Sequence, residues 1–185
     1  ARLSDEEQLF LDTKVKDLCN LVDDWSVYEN REFPKKVWDM LKHERFFGMI
    51  IPKEFGGLGF STLGHSAVIQ AISSRSVALG ITVMVPNSLG PAELLLHFGT
   101  DSQKQYYLPR LAIGKDIPCF ALTEEEAGSD AGSMRSSGVL FKDSKSKELM
   151  IRLNFKKRYI TLSGISTVLG IAFQLSDPEC ILGGK

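Results

Sequence analysis

The chain has 185 residues, 43% of them hydrophobic and 24% charged, proportions that exclude disordered, collagenous and wholly membrane-embedded chains. Its formal net charge is -1, from 22 Lys and Arg against 23 Asp and Glu, so no summed positive field exists to hold a nucleic acid. Cys19, Cys119 and Cys180 stand far apart without a C-x-x-C pair, which speaks for a reducing compartment and against a disulfide framework or structural zinc.

Ser4-Asp5-Glu6-Glu7 reads as a capping box, in which a hydroxyl and a carboxylate three positions on satisfy amides that a helix leaves unpaired. Behind it Leu11, Val15, Leu18, Val22 and Trp25 recur at spacings of four and three, predicting one buried face. Pro34 suits the opening of a second helix, lined by Val37, Trp38 and Leu41 and stopped by Gly48. The segment 50–59, with Pro52, Gly56, Gly57 and Gly59, is expected to be a loop with positive φ values or close backbone approach.

From Ser61 to Val77 apolar residues surround much of the pattern, predicting an interior helix. After a break at 83–87, Pro91 suits a fourth start and Gly99 its end; Asp101 is then a cap for a helix running toward Gly114 that Pro109 should disturb. The uncharged stretches 76–92 and 159–176 are interrupted by Gly, Ser and, in the first, Pro, so neither predicts a continuous membrane-crossing helix. The N-terminal residues show no secretory signal pattern.

The pattern changes near Ile117. The runs 119–123, 149–155, 159–162 and 168–173 are rich in branched and aromatic residues and read as strands. Between them, 127–138 is crowded with Gly and Ser, and 142–148 is a charged hairpin tip. The expected fold class is therefore α+β: an all-α helical domain over 1–116, then the first part of an antiparallel β-domain, barrel or sandwich, over 117–185. The strands are too few to close a barrel or sandwich, so this second domain is expected to be incomplete.

The stretch that carries chemistry is Phe120-Ala121-Leu122-Thr123-Glu124-Glu125-Glu126-Ala127-Gly128-Ser129-Asp130-Ala131, an apolar strand running into an acidic, glycine-containing loop. Phe120 and Leu122 fall on one side of the strand and Ala121 and Thr123 on the other. Beyond them, amides freed by Gly128 and the Ser129 hydroxyl are donors of the kind a phosphate needs. On residues alone such a loop is more often a plain turn than a cofactor site. Glu124, Glu125 and Glu126 read as solvated loop charges. Lys156-Lys157-Arg158 reads as a solvated strand end, with an anionic contact as the alternative. His43, His65 and His97 read as packing or surface residues, and no metal site is legible.

This stretch resembles the flavin loop of the acyl-CoA dehydrogenases, aromatic-x-aliphatic-Thr-Glu-x-x-Ala-Gly-Ser-Asp. Ile51-Pro52-Lys53-Glu54-Phe55-Gly56-Gly57-Leu58-Gly59 is similar to the family's loop between early helices. The segments 98–104 and 107–112 are similar to its last helical pair, and Lys157-Arg158-Tyr159-Ile160-Thr161 to the strand bearing its aromatic-Ile-Thr triplet. The likeness is strongest with the large bacterial fatty acyl-CoA dehydrogenases, notably at 85–91.

The resemblance implies an N-terminal helical domain, a middle β-domain and a C-terminal helical bundle, the last absent from these residues. It implies FAD as cofactor and oxidation of an acyl-CoA in fatty-acid β-oxidation to the trans-2-enoyl-CoA, with electrons passed to an electron-transfer flavoprotein. It also implies a homo-oligomer. Phe120, Leu122 and Thr123 would meet the flavin ring, Gly128 and Ser129 the pyrophosphate, with Ser129 also near the acyl-CoA. Tyr159, where the family often has Trp, would cover the isoalloxazine, and Thr161 would lie near N5. Glu125-Glu126 replace the more usual Pro-Gly or Pro-Glu. The catalytic glutamate is expected in the missing C-terminal region, leaving this chain without a catalytic residue and inactive alone. An acyl-CoA oxidase and a non-catalytic acyl-CoA-binding or partner-binding module are the alternatives. The expected location is cytoplasmic, with peripheral attachment to the inner membrane as a variant.

Overall fold

A computed structural model describes residues 2–88 and 90–183. Their contacts divide the chain into two compact units, Ala1–Cys119 with Leu162–Val168, and Phe120–Thr161 with Leu169–Lys185.

In the first unit, Ser4 caps α1 (Asp5–Phe10) with the reciprocal Ser4–Glu7 hydrogen bonds of a capping box. The helix continues through a π-helical stretch, Leu11–Val15, into α2 (Lys16–Leu21). The predicted apolar face holds for Val15, Leu18 and Val22, all buried, but not for Trp25, which is 67% exposed. The reason is local: Val22 leaves the helix with ψ 121, and Asp23 caps a separate helix, α3 (Asp24–Asn30). The periodicity is therefore broken before it reaches Trp25.

Pro34 caps α4 (Lys35–His43), which ends five residues before Gly48. Arg45 at φ 61 turns the chain into a 3-10 turn at Phe46–Gly48. Gly48 is needed for a different reason from the one its position suggests: a Cβ there would lie 2.7 Å from the Ala112 Cα. In the loop that follows, Gly56 and Gly59 have positive φ, and a Cβ at Gly57 would collide with the Ile51 carbonyl. The expected loop and both of its physical reasons are present.

Ser61 caps α5 (Thr62–Arg75) and Ser76 caps α6 (Val77–Met84). Only one side of α5 is interior, with Gly64, Val68 and Ile72 buried while Leu63 stays 40% exposed. The buried Glu7 carboxylate reaches across to α5, accepting from the Ser61 amide and hydroxyl at 2.7 Å each. These bonds and those from Ser4 hold its pKa down, from 4.5 to about 2.

Pro91 opens α7 (Pro91–Phe98), and Thr100, rather than Asp101, caps α8 (Asp101–Ala112) with Gln103 completing a second capping box. Pro109 is accommodated inside α8 without ending it. The stretch Val77–Phe98 is long and apolar enough to cross a membrane, with a mean hydropathy of 1.3 and about half of it buried in the protein. It is nevertheless not one continuous helix, as the interrupting residues predict: α6 ends at Met84 and α7 begins at Pro91. A 3-10 turn at Val85–Asn87 divides it.

One apolar core joins α1 through α6, centred on Leu18, Val37, Leu41, Phe46, Phe47, Ile72 and Leu79. A second, smaller one joins Ile51, Ala92, Leu108, Leu111 and Ala112.

The strands are β1 (Pro118–Ala121), β2 (Ser137–Lys142), β3 (Leu149–Asn154), β4 (Val168–Ile171) and β5 (Gln174–Ser176). β1 pairs with β4, and the other three form a sheet in the order β3-β2-β5. The β2–β3 hairpin is antiparallel, but β5 runs parallel to β2. The sheet is thus mixed where a purely antiparallel one was expected, because the long excursion after β3 returns the chain in the direction of β2. Asp143 accepts from the Lys145 and Ser146 amides to form the predicted hairpin tip. The strand predicted at 159–162 is absent: Tyr159 and Leu162 have φ 57 and 65, left-handed values that no ladder accommodates.

Candidate functional site

All seven residues predicted to form the site lie in the second unit. The strand β1 carries Phe120, and the chain leaves it through Leu122 and Thr123, all three half-buried. The loop closes on itself where the Glu124 amide donates to the Ala127 carbonyl at 3.0 Å. Ala127 is buried, while Gly128 and Ser129 are exposed. A Cβ at Gly128 would meet nothing within 4 Å, so no neighbouring protein atom fills the space beside this turn.

The residues just before Tyr159 meet the loop. The Arg158 amide donates to the Thr123 carbonyl at 3.0 Å, and the Lys157 ammonium donates to the Leu122 carbonyl at 3.0 Å. Both carbonyls are thereby turned toward 157–158. Among the described residues, no acceptor meets the Thr123 amide or hydroxyl. Tyr159 itself is 78% exposed, its ring beneath the Arg158 guanidinium at 4.7 Å, and Thr161 is exposed on the following turn.

Glu124 departs from its reading as a solvated charge. It is buried, and its carboxylate accepts from the Arg135 amide at 2.7 Å, the Ser136 amide at 3.0 Å and the Lys157 ammonium at 2.8 Å. Lys157 departs likewise from the solvated strand end, its side chain being 4% exposed. Burial alternates along 156–158, with Lys157 on the inner side and Lys156 and Arg158 exposed. The bond from Lys157, followed by those from Ser136 and Arg135, lowers the Glu124 pKa from 4.5 to about 2. Glu125 and Glu126 are exposed as expected, pairing with Arg158 at 3.2 Å and with Arg135 respectively.

A cavity of about 250 Å³ lies on the acidic flank of the loop, lined by Glu124, Arg135, Phe155 and Lys156 among others. Its lining residues are mostly charged, and they do not include Phe120 or Leu122. A larger groove, about 860 Å³, belongs to the helical unit and contains none of the predicted site residues. Among the described residues no cluster of His, Cys, Asp or Glu is arranged to hold a metal.

Residues 3–115 match the acyl-CoA dehydrogenase N-terminal domain. The chain belongs to the acyl-CoA dehydrogenase family. It is 34% identical over 148 residues to an acyl-CoA dehydrogenase of Bacillus subtilis, covering 80% of this chain and 37% of that protein. It is also 34% identical over 168 residues to a 3-(aryl)acrylate reductase of Clostridium sporogenes, covering 91% of this chain and 41% of that protein. The acyl-CoA dehydrogenase of Bacillus anthracis, solved as a complex with FAD, superposes with a TM-score of 0.78 at 24% identity, over 93% of this chain and 29% of that one. That likeness establishes the fold, helices followed by sheet. The chain thus spans well under half the length of the relatives it matches. The family consists of flavin-dependent oxidoreductase enzymes.

Proposed function

We propose that the protein carrying these residues is an FAD-dependent acyl-CoA dehydrogenase of fatty-acid β-oxidation, forming trans-2-enoyl-CoA and passing electrons to an electron-transfer flavoprotein. The observation that carries this reading is the Thr123 corner, half-buried, with its amide and hydroxyl unmet and its carbonyl drawn inward by Arg158. Family membership supplies the reaction class.

In this reading 1–116 form the helical domain and 117–185 a portion of the flavin-contacting one. The residues present fit the cofactor in three ways. Phe120 and Leu122 offer an apolar strand side to a flat ring, and Thr123 offers donors to its polar edge. The open turn at Gly128 and Ser129 leaves space and exposed donors for a pyrophosphate, with Ser129 also near the acyl-CoA. Tyr159 and Thr161 complete the set from the adjoining turn. When bound, FAD supplies the acceptor for the β-hydride. These residues hold the ring and exclude water on one side, which lowers the barrier by positioning.

None of the loop carboxylates serves as the base. Glu124, with a pKa of about 2 and three donors upon it, has little proton affinity at neutral pH. Inactivity of these 185 residues by themselves, and weak FAD binding by them, belong to the same proposal. Homo-oligomerisation and a cytoplasmic location belong to the same reading.

The likeness to an acrylate reductase favours a second direction, reduction of the same carbon–carbon bond. Visible spectra of the intact protein separate the two. Bleaching of the flavin band on adding a long-chain acyl-CoA is the expected result; a flavoprotein that ignores acyl-CoA, yet is reoxidised from its reduced state by an enoyl thioester, would assign it to reduction. A colourless protein that takes up no added FAD would end the flavin reading.

A further inference from the structure

We infer that Lys157 and Glu124 are positioning residues for the flavin-facing corner, a conclusion that rests on the flavin reading above. Among the described residues, Lys157 is the one side chain that reaches both the loop backbone and its acidic anchor. Its ammonium spans the Leu122 carbonyl at 3.0 Å and the Glu124 carboxylate at 2.8 Å. Glu124 carries the link onward through the amides of Arg135 and Ser136, at the entrance to β2. One buried ion pair thus ties the exit of β1, the segment before Tyr159 and the start of β2 to a common point.

The consequence for the corner follows from hydrogen-bond accounting. A carbonyl that accepts from Lys157 or from the Arg158 amide is committed inward, and with both carbonyls of Leu122 and Thr123 so committed, the Thr123 donors remain for a ligand. Without Lys157 the Leu122 carbonyl loses its partner and the buried Glu124 charge loses its counterion. The corner is then free to rotate, and the donors lose their fixed aim. Lys156 and Arg158 do not substitute, because they face the exposed Glu125 at 3.6 Å and 3.2 Å. Neither Lys157 nor Glu124 touches the reacting atoms in this scheme.

The test uses the intact protein with Lys157→Met, Glu124→Gln, the pair of changes together, and Lys157→Arg. FAD affinity is read by quenching of FAD fluorescence, the ring environment by visible circular dichroism of the bound flavin, and loop order by amide exchange at Arg135, Ser136 and Arg158. Lys157→Met is expected to weaken FAD binding about tenfold to a hundredfold, the scale of a lost charge-assisted hydrogen bond. It should also alter the visible dichroism and speed exchange at those three amides while leaving α5 amides unchanged. Lys157→Arg should recover most of the affinity. If Lys157→Met fails to fold, the double variant, which removes the unpaired charge, takes its place; it should fold and show the same altered dichroism. Unchanged exchange at the three amides in either variant would overturn the clamp regardless of flavin. Unchanged affinity and dichroism, despite faster exchange, would overturn its positioning role. Wild-type protein that binds no FAD, with exchange still dependent on Lys157, would overturn the flavin reading and with it the positioning role, leaving only a structural tie.

Discussion

The helical unit and the sheet unit are held together by different chemistry. In the helical unit Leu18, Val37, Leu41, Phe46, Met49, Ile72, Leu79 and Val83 are all completely buried, and polar contacts such as Glu7 to Ser61 add to an existing core. In the sheet unit the buried apolar set is thin, chiefly Ala121, Ala127 and Leu140, while every residue of β3 is exposed. There the Glu124–Lys157 pair and its amides occupy the place that side-chain packing holds in the other unit. A thinly packed sheet can thus fix a loop corner with one desolvated charge pair where apolar area is scarce.

The largest expected effect lies in the helical core. Leu41→Ala should destabilise the chain by about 2–5 kcal/mol, the usual cost of a large-to-small change in a packed interior. Chemical denaturation followed by far-UV dichroism checks it; a loss under about 1 kcal/mol would mean that the core collapses around the hole and the contrast between units is weaker than described. Next comes Gly48→Ala, whose new methyl would press on the Ala112 backbone at 2.7 Å. A cost of about 1–3 kcal/mol is expected from the forced shift, read as a lowered melting temperature.

Acid provides a comparison of both units at once. Glu7 and Glu124 each have a folded pKa depressed from 4.5 to about 2. Their contributions are fully present above pH 4.5 and disappear as pH falls toward 2. Burial also holds the His65 pKa below 6.5, so a first loss of stability should begin on acidification below pH 6.5; the two carboxylates should add a further decline below about 4.5, part of which Glu7→Gln should flatten while lowering the level from which it starts. A stability curve that rises on acidification through this window would contradict both assignments. Smaller still, Thr100→Ala removes the cap of α8 and should cost about 1 kcal/mol. Amide exchange confined to the first turn of α8 would report it.

The sequence was most readable where local chemistry decides the outcome. The Ser4 capping box, the Pro34 and Pro91 starts and the glycines of 50–59 each act within a few residues, and each stands where expected. Misreadings arose where a distant contact decides. Trp25 continued a spacing that Asp23 interrupts. Tyr159–Leu162 had strand-forming side chains, yet the Lys157 and Arg158 bonds to Leu122 and Thr123 hold the entrance of that segment, and it turns instead of pairing. Glu124 and Lys157 looked like solvent charges because each is flanked by residues that are; their 33-residue separation hides the partnership. The helix Val77–Met84 and the short strand β5 were missed for lack of a strong period. Thr123 was found through its family motif, and its unmet donors become visible only in three dimensions.

The strand β3 lies at the margin of its sheet, with Leu149, Met150, Ile151 and Leu153 all uncovered and a single charge, Arg152, among them. Such a row is a template for copies of itself. Handled as an isolated polypeptide, this chain should therefore cluster with rising concentration, and Arg152, seated over Phe141 at 5.0 Å, would act as the gatekeeper whose replacement by an uncharged residue hastens precipitation.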